Sequence, residues 1–405
     1  MRPRLFIYMH YMELGGAERA LLGLLNAVDC ERVDVDLFLN QHTGAFMSLI
    51  PSKVHLLSER KGYNAIERPL IQVLKEGQFK IALARIKARR EHDKYYSTLD
   101  EHVMAQDSSI FQYVMDAVAP HLDNLDDLGE YDLAISFMQP HNIVLDKVQA
   151  KKKICWIHTD YSTIHVHAQQ ELKIWEQYDH VVSISEDCTR AFLKTFPSLS
   201  SKIILMENIL SSDFVREQAR LGAAHELQVP HGVLKLVSVG RISYAKNYDN
   251  VPHIARLLKA QGLKFKWFIV GPGDHRAIDK TIIETGTGDV VEFLGSRNNP
   301  YPYIKEADIY VQLSRYEGKS VTVREAQMLC RPVLITNYAT ASSQVSDGKD
   351  GIICPMDNEG IAQAIWELAH DDEKREKLSS YCREHDFGNE KEINKIYQLV
   401  ESTGL

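Results

Sequence analysis

Two glutamates that lie eight positions apart have the clearest chemical potential in this sequence. Glu317 follows an apolar strand predicted over 308–313, and Glu325 falls within a helix predicted over 320–330. We therefore expect Glu317 in the loop at the carboxyl end of the strand and Glu325 about a turn and a half into the helix. Carboxylates at such positions can accept hydrogen bonds from neighbouring hydroxyl groups. The alternative is that both are ordinary surface glutamates.

An anion site is expected between these two carboxylates. Ser320 stands where the helix N-cap is predicted, and the first N–H groups of the helix, at Ser320 and Val321, have no partner inside a helix. Such N–H groups bind phosphate because they lie at the positive end of the helix dipole. The segment 317–325 therefore indicates a strip of surface that suits a sugar, a diphosphate and a ribose in a row.

Positive charge is expected at the end of another strand, predicted over 234–240. Gly240 ends this strand, and Arg241 and Lys246 follow in the loop. Ligands of α/β domains bind at the carboxyl ends of parallel strands. An arginine can hold phosphate oxygens with two parallel hydrogen bonds, and a lysine adds a point charge. The loop is a candidate diphosphate site, and two solvated surface cations are the alternative.

A glycine pair follows the strand predicted over 265–270. Gly271 and Gly273 form a G-x-G segment that can bring the backbone close to a ligand. Position 276 is an arginine, whereas the dinucleotide-binding fingerprint has its third glycine there. The missing glycine argues against an NAD-dependent oxidoreductase.

The first half of the chain contributes two further candidates. Gly15 and Gly16 follow the first predicted strand and open an amphipathic helix, so a ligand could approach both the backbone and the helix N-terminus. His158 follows the strand over 153–157 and precedes Asp160 by two positions. We interpret Gly16 as ligand-binding and His158 as functional. The alternatives are a plain strand–helix turn and a structural histidine.

The elements that must position these residues are short apolar strands that alternate with amphipathic helices. This order predicts parallel sheets with helices on both faces. Two such series indicate an α/β protein with two doubly wound domains. The predicted strands are 4–9, 33–39, 54–57, 132–137, 153–157, 179–184, 234–240, 265–270, 290–294, 308–313, 332–336 and 351–353.

The domain boundary is predicted within 208–232, where the strand rhythm stops and Pro-His-Gly precedes a new buried strand. We predict a first domain over 1–210, with two or three helices inserted over about 60–120, and a second domain over 211–388. The last helix, within 389–405, has no strand after it and is expected to pack back on the first domain.

Composition and charge argue against several classes of function. The formal net charge is −8, whereas a general nucleic-acid-binding protein usually carries a basic surface. The six cysteines form no C-x-x-C pair, so the sequence indicates neither a zinc site nor a disulfide framework, and a cytoplasmic location is expected. The apolar run at 5–9 is too short for a signal peptide, and no stretch approaches the ~20 apolar residues of a membrane span. Any membrane contact is therefore expected to be peripheral.

The segment 80–94 is basic, with six lysines and arginines against two acidic residues and with apolar residues among them. A solvated helix face would explain this pattern. The alternative is a surface that contacts anionic lipid or an anionic acceptor, which would place the protein at the inner face of the cell membrane.

Together, these motifs resemble the family-4, or group 1, retaining glycosyltransferases of the GT-B fold. The resemblance extends over nearly the whole chain, and the glutamate pair in its strand–loop–helix context is its most specific part. The lysine and serine after Glu317-Gly318 and the segment 337–340 resemble transferases of bacterial polysaccharide and cell-surface glycan synthesis. The resemblance implies two Rossmann-like domains that face each other across a cleft. It also implies transfer of a hexosyl unit from a nucleotide-diphosphate sugar, expected to be UDP-linked, to a glycan or lipid-linked acceptor.

The resemblance also implies roles for the candidate residues. Arg241 and Lys246 would neutralise the diphosphate, Glu317 would bind the donor sugar, and His158 would lie near that sugar at the reacting face. These four residues form the expected catalytic set. The expected donor-binding set consists of Gly16, Gly240, Gly271, Gly273, Ser320, Val321 and Glu325, with Glu325 on the ribose.

No cofactor and no metal ion is expected, because cations and helix ends could stabilise the departing diphosphate in place of a divalent metal. The sequence offers no committed nucleophile. We therefore expect a front-face route in which the leaving phosphate helps to deprotonate the acceptor.

Two other functions remain open from the sequence. A nucleotide-sugar epimerase or hydrolase of the same fold would consume the donor without an acceptor and would need further acid/base carboxylates near the sugar. A non-catalytic protein that binds sugar nucleotides could retain the fold, but the presence of Arg241, Lys246, Glu317 and Glu325 speaks against it.

Overall fold

Two compact units make up the chain. The first unit comprises Met1–Ile209 and Glu390–Leu405, and the second comprises Leu210–Asn389. The computed structural model describes residues 2–13, 15–104, 106–317 and 320–401.

Within the described part of the first unit, seven parallel strands form one sheet. The strands are β1 (Arg4–Met9), β2 (Asp34–Leu39), β3 (His55–Leu56), β4 (Tyr131–Ser136), β5 (Ala150–Ile157), β6 (His180–Ser183) and β7 (Ile203–Leu205). They lie in the order β3-β2-β1-β4-β5-β6-β7, so β1 pairs with β2 on one side and with β4 on the other. This reversal of strand order around β1 is the point at which ligands of doubly wound folds bind.

The burial of β1 explains its continuous apolar sequence. Leu5, Ile7 and Met9 enter the hydrophobic core on one face of the sheet, and Phe6 and Tyr8 enter the core on the other face. A strand of a parallel sheet is covered on both faces by helices, so it has no polar side facing water.

The helices of the first unit include an insertion between β3 and β4. Among the described residues of 60–120, four α-helices occur, so the expectation of two or three was wrong. The additional helix, Glu101–Met104, is a single turn, which is too short to show a periodic pattern. The α-helices are α1 (Gly16–Ala27), α2 (Leu70–Lys75), α3 (Phe79–Tyr96), α4 (Glu101–Met104), α5 (Ile110–Val118), α6 (Asn142–Lys147), α7 (Ala168–Trp175) and α8 (Glu186–Thr195).

The described part of the second unit contains a six-stranded parallel sheet in the order β10-β9-β8-β11-β12-β13. Its strands are β8 (Leu234–Val239), β9 (Phe265–Val270), β10 (Val291–Gly295), β11 (Ile309–Gln312), β12 (Val333–Thr336) and β13 (Ile352–Cys354). Its α-helices are α9 (Ser212–Leu221), α10 (Val251–Ala260), α11 (Arg276–Thr285), α12 (Tyr301–Lys305), α13 (Val321–Met328), α14 (Asn358–His370) and α15 (Asp372–Glu384). Two hydrophobic clusters cover the two faces of the sheet.

The last helix, α16 (Ile393–Glu401), belongs to the first unit. Ile393, Ile396 and Tyr397 are buried in the core cluster that also holds Leu5 and Ile7. The hydroxyl of Tyr397 accepts a hydrogen bond of 2.7 Å from the backbone N–H of Asp29. The chain therefore returns to the first unit after it has formed the second.

The predicted fold class is confirmed, because the chain has two doubly wound parallel sheets with flanking helices and a C-terminal helix that packs on the first unit. All twelve predicted strands are present within a few residues of their predicted bounds. The three-residue strand β7 was not predicted.

Candidate functional site

Two glycine loops lie against each other at the carboxyl ends of β8 and β9 in the second unit. Ile242 donates its backbone N–H to the carbonyl of Pro272 at 2.8 Å. Gly271 has φ +155°, and a Cβ there would overlap the carbonyl oxygen of Gly240. Gly273 has φ +136°, and a Cβ there would lie 2.7 Å from the Cβ of Ile242. Glycine at both positions is thus required for the loops to approach each other.

The structure brings Lys246 and Glu317 together in an ion pair. The ammonium of Lys246 donates to Oε1 of Glu317, and the two side chains are only 19% and 14% exposed. Gln312 Nε2 and Ser314 Oγ donate to the same oxygen at 2.9 and 2.6 Å. Oε2 of Glu317 makes no hydrogen bond to the described residues. The pair therefore offers one carboxylate oxygen with no hydrogen bond to the described residues, next to a lysine whose charge Glu317 already balances.

Tyr248 adds a buried hydroxyl to this region that the sequence did not reveal. Its hydroxyl has no hydrogen-bond partner among the described residues. A Cβ at Gly240 would lie 3.1 Å from this hydroxyl and 3.2 Å from Cε of Lys246. Burial, and to a lesser extent the charge of Glu317, raises the pKa of Tyr248. The side chain is therefore a neutral hydrogen-bond donor. No local sequence motif indicates a role for Tyr248, because only the folded loop places its hydroxyl beside Gly240.

Arg241 lies in the same loop and is exposed. It makes no ion pair or hydrogen bond through its side chain with the part of the chain that the structure describes. Its charge is thus available to a ligand, in contrast to the charge of Lys246.

The start of α13 has backbone N–H groups with no acceptor among the described residues, although its cap differs from the prediction. Ser320 occupies the N-cap position, but its side chain does not cap the backbone N–H groups of the helix and instead shares a hydrogen bond of 3.1 Å with the hydroxyl of Thr322. Its backbone N–H donates to the side chain of Gln344 at 3.1 Å. The expected Ser320 side-chain cap was therefore wrong, whereas the role of Ser320 in an anion site stays a prediction. The N–H groups of Val321, Thr322 and Val323 donate to no group among the described residues. Gly318 and Lys319 lie outside the described residues.

Glu325 is fully buried on the inner side of α13. The hydroxyl of Tyr301 donates to its Oε1 at 3.0 Å. A ribose could reach the carboxylate only if neighbouring side chains moved, so its assignment to the ribose stays a prediction.

In the first unit, Gly16 begins α1, and Gly15 is the N-cap residue. A Cβ at Gly16 would meet no atom within 4 Å, whereas a Cβ at Gly15 would overlap the carboxylate of Glu18. Glu18 is buried and lies in the first turn of the helix. The carboxylate of Glu18 thus already lies close to the helix end at which a ligand was expected.

His158 follows β5 and packs its ring 4.5 Å from the ring of Phe137. Its Nε2 is buried and has no hydrogen-bond partner among the described residues. Burial lowers the pKa of His158 to about 3, so the imidazole is neutral near pH 7. A neutral imidazole can donate one hydrogen bond and accept another, which suits a hydroxyl group.

Two further histidines, which the sequence interpretation did not single out, stand at the carboxyl ends of neighbouring strands. His10 follows β1, and its Nδ1 lies 2.7 Å from Oε1 of Glu67. His141 follows β4, and its Nδ1 lies 2.7 Å from Oγ of Ser136. Burial lowers the pKa of His141, and the nearby His10 and His158 lower it further. The Nε2 atoms of His10 and His141 have no partner in the described part of the chain.

Residues 2–401, apart from the undescribed positions, contain no group of three or more His, Cys, Asp or Glu side chains arranged to hold a metal ion. Within the same residues, no helix combines the length and the apolar composition that a bilayer crossing requires.

A comparison with known protein families finds a match within the second unit. Residues 224–385 match the family described as Glycosyl transferases group 1. The second unit is a group 1 glycosyl transferase domain. The match contains both glycine loops, the Lys246–Glu317 pair and helix α13, and it confirms the resemblance to this family that the sequence motifs indicated.

Curated relatives match parts of the chain. AmsK of Erwinia amylovora, an amylovoran biosynthesis glycosyltransferase, is 31% identical over 144 residues, which are 33% of this chain and 35% of AmsK. LpsD of Rhizobium meliloti, a lipopolysaccharide core biosynthesis glycosyltransferase, is 26% identical over 160 residues, which are 39% of this chain and 46% of LpsD. The chain thus spans less than half of the length of each of these relatives.

A solved structure matches almost the whole chain. HepE from Anabaena, crystallised in complex with UDP and glucose, has a TM-score of 0.66 and 16% sequence identity, with 99% of this chain and 100% of HepE covered. At this identity the likeness shows the fold alone. The chain has the GT-B fold.

Proposed function

We propose that this protein is a glycosyltransferase that moves a hexosyl unit from a nucleotide-diphosphate sugar to a glycan or lipid-linked acceptor. The observation that carries the proposal is the group of polar atoms that follow the carboxyl ends of β8 and β11. These are the Lys246–Glu317 pair, the exposed Arg241 and the N–H groups at the start of α13. They lie within the residues that match the group 1 family.

The charges suggest how the donor is held. Arg241 would bind the diphosphate first, because its guanidinium has no partner among the described residues. The N–H groups of Val321 and Thr322 would donate hydrogen bonds to further phosphate oxygens. Oε2 of Glu317 would accept a hydrogen bond from a sugar hydroxyl, while Oε1 stays bonded to Lys246, Gln312 and Ser314.

The reaction would proceed by cleavage of the bond between the anomeric carbon and the diphosphate oxygen. Positive character develops on the sugar and negative charge on the diphosphate, so cations and N–H groups at the diphosphate lower the barrier. The acceptor oxygen forms the new bond to the anomeric carbon, and its proton passes to the leaving phosphate. We propose retention of the anomeric configuration and independence of a divalent metal as part of this mechanism.

The relatives support the choice of substrates. HepE was crystallised with UDP-glucose, which supports a UDP-linked donor. AmsK and LpsD are named for polysaccharide and lipopolysaccharide synthesis, which supports a glycan or lipid-linked acceptor. Such an acceptor would place the reaction in the cytoplasm, at the inner face of the cell membrane.

Calorimetric titration tests the donor site. The full-length protein is titrated with UDP, GDP and ADP and with their sugar conjugates, each with and without EDTA. We expect saturable binding of UDP that EDTA does not change and that Arg241→Ala weakens about tenfold, as the loss of a charged hydrogen bond predicts. Arg256→Ala, which removes an exposed arginine from α10, serves as the control.

Donor turnover completes the test. Release of UDP that requires a glycan or lipid acceptor supports transfer. UDP release without any acceptor would identify a hydrolase instead. Failure of the folded protein to bind any of the nucleotides would overturn the proposed function.

A further inference from the structure

Helix α3 carries a stripe of exposed residues along its outer side. The stripe consists of Phe79, Leu83, Lys87, Arg90 and Lys94, which are spaced by three or four residues and therefore lie above one another on one side of the helix. All five are exposed, and Phe79 and Leu83 are exposed to 61% and 66%. The stripe is thus apolar at the helix N-terminus and positively charged from its middle to its C-terminus.

The opposite side of α3 is firmly packed. Ile81, Ala84 and Ala88 are buried, and the first two belong to a core cluster of the first unit. Helix α2, which contacts α3, exposes Ile71 to 71% and Leu74 to 40%. The exposed apolar side chains are therefore a feature of the outer surface of a well-packed helix pair.

The charge of α3 differs in sign from that of the whole chain. Six basic and two acidic residues give the helix a net charge of +4, whereas the chain carries −8. The guanidinium of Arg85 is used internally, since its Nη1 donates to the carbonyls of Ala65 and Arg68 at 2.9 and 2.6 Å. The other basic residues are exposed, and they are Lys80, Lys87, Arg89, Arg90 and Lys94. The ammonium of Lys87 lies 3.7 Å from Oε1 of Glu91 in a solvent-exposed ion pair, which contributes little energy and can be exchanged for an anionic headgroup.

We propose that this stripe docks the protein on an anionic lipid bilayer. Phe79 and Leu83 enter the boundary between headgroups and acyl chains, while Lys87, Arg90 and Lys94 contact the anionic headgroups. An interfacial helix needs both an apolar part and cations, and each cation near an anionic surface strengthens binding. The inference rests on the proposed function, because it names the surface on which a lipid-linked acceptor would be met.

Charge complementarity favours a bilayer over a second copy of the chain. In a symmetric dimer each surface patch meets the same patch of the partner, so stripes packed against each other would bring like charges together. An anionic bilayer offers opposite charge and an apolar layer at the same time.

Flotation of the full-length protein with lipid vesicles tests the proposal. The vesicles consist of phosphatidylcholine alone or of phosphatidylcholine mixed with phosphatidylglycerol. We expect binding only to the mixed vesicles and weaker binding as salt is added, because salt screens surface charge. Lys87→Gln/Arg90→Gln/Lys94→Gln should weaken binding about fivefold per lost cation, or on the order of a hundredfold together. Phe79→Ser/Leu83→Ser should weaken it about tenfold or more, since two apolar side chains no longer enter the bilayer.

A charge-matched variant provides the control. Lys280→Gln/Lys305→Gln/Lys349→Gln removes three exposed cations from the second unit and should bind vesicles as the wild type does. Equal flotation with neutral and anionic vesicles would overturn the proposal, and so would equal losses in the stripe and control variants. Light scattering that shows a dimer converted to a monomer by the stripe substitutions would assign the surface to a second copy instead.

Binding of UDP, measured on the same proteins, separates the two proposals. Loss of flotation with intact UDP binding confirms that the stripe variants are folded and that the effect belongs to the docking surface. Flotation of a wild type that binds no nucleotide would support the docking surface and would contradict the proposed function.

Discussion

The ion pair of Lys246 with Glu317 determines how the second unit can receive a negatively charged ligand. Both side chains are largely shielded from water, so neither charge would be stable there without the other. Arg241, by contrast, is exposed and has no partner in the described residues. A diphosphate would therefore meet Arg241 first, and Lys246 would contribute only as far as it leaves Glu317.

Substitution of Glu317 should separate donor binding from sugar transfer. Glu317→Gln keeps the shape of the side chain and frees Lys246 for the diphosphate, so we expect UDP affinity to stay equal or to rise. Turnover should fall on the order of a hundredfold or more if the carboxylate binds the donor sugar as proposed, because its negative charge is then lost beside the positive character that develops on the sugar. Calorimetry with UDP and an acceptor-dependent UDP-release assay measure the two effects. Glu284→Gln, on the exposed side of α11, is the control, and an equal loss of affinity and turnover would contradict the assigned role.

The burial of Glu325 can be tested against its predicted contact with a ribose. Tyr301→Phe removes the hydroxyl that donates to Glu325 and should lower the free energy of unfolding by about 1–2 kcal/mol while UDP affinity stays within about twofold. Glu325→Ala should weaken UDP binding about tenfold or more if the carboxylate also binds the ribose. Calorimetry and urea unfolding of both variants decide the question. If Tyr301→Phe and Glu325→Ala weakened UDP binding equally, Glu325 would affect binding through its hydrogen bond with Tyr301 and not through a contact with the ribose.

His158 should make the stability of the protein depend on pH. Its folded pKa of about 3 lies below the ordinary value of 6.5, so the unfolded chain binds a proton at a higher pH than the folded chain does. The contribution of His158 to the free energy of unfolding therefore falls as pH drops below about 6.5, by about 2 kcal/mol between pH 7 and pH 5. Urea unfolding at the two pH values measures this effect. Between pH 7 and pH 5, the free energy of unfolding of His158→Gln should fall by about 2 kcal/mol less than that of the wild type. His121→Gln removes an exposed histidine of the same unit and should leave the pH dependence of the wild type unchanged.

At the scale of secondary structure, continuous apolar runs made the strands predictable. β8 and β9 are buried on both faces of a sheet, so each reads as a short apolar segment with turn residues after it. β7 has only three residues, and all of them are partly or fully exposed, so it left no such pattern. The number of helices in the insertion was predicted wrongly for a similar reason, because the single turn of α4 shows no periodic pattern.

Residues of the candidate site were predictable where a charged side chain lies in the loop directly after a predicted strand. Glu317 and Lys246 both come after strands, and the structure pairs them. Gln312 and Tyr248 were missed because their roles depend on how separate loops meet. Gln312 is a buried polar residue within β11. The sequence does not indicate that its side chain donates a hydrogen bond to Glu317.

Helix α16 should be essential for the stability of the first unit. Ile396 is fully buried in the core cluster on one face of the first sheet. Ile396→Ala should lower the free energy of unfolding by about 2–5 kcal/mol, since it removes apolar contacts and leaves a cavity. Gln398→Ala, on the exposed side of the same helix, should change it by no more than about 0.5 kcal/mol. Urea unfolding followed by circular dichroism measures both. Equal effects of the two substitutions would show that α16 does not contribute to the core in solution.

At the scale of the whole molecule, the cores of the two units are separate. The two hydrophobic clusters of the second unit contain only residues of Leu210–Asn389, and those of the first unit draw on its two chain segments alone. A domain with its own core can fold by itself. The chain thus passes from one unit to the other twice, and none of the described core residues belongs to clusters of both units.

This separation predicts the behaviour of the isolated units. A polypeptide of residues 210–389 should fold, give dispersed amide signals in an NMR spectrum, and bind UDP with an affinity within about tenfold of the full chain, because Arg241, Lys246 and the start of α13 all lie within it. A polypeptide of residues 1–209 should fold poorly, since it lacks the buried side chains of Ile393 and Ile396. Restoring α16 as a separate peptide should stabilise it. If residues 210–389 fold but bind no UDP while the full chain does, the nucleotide site depends on the first unit as well.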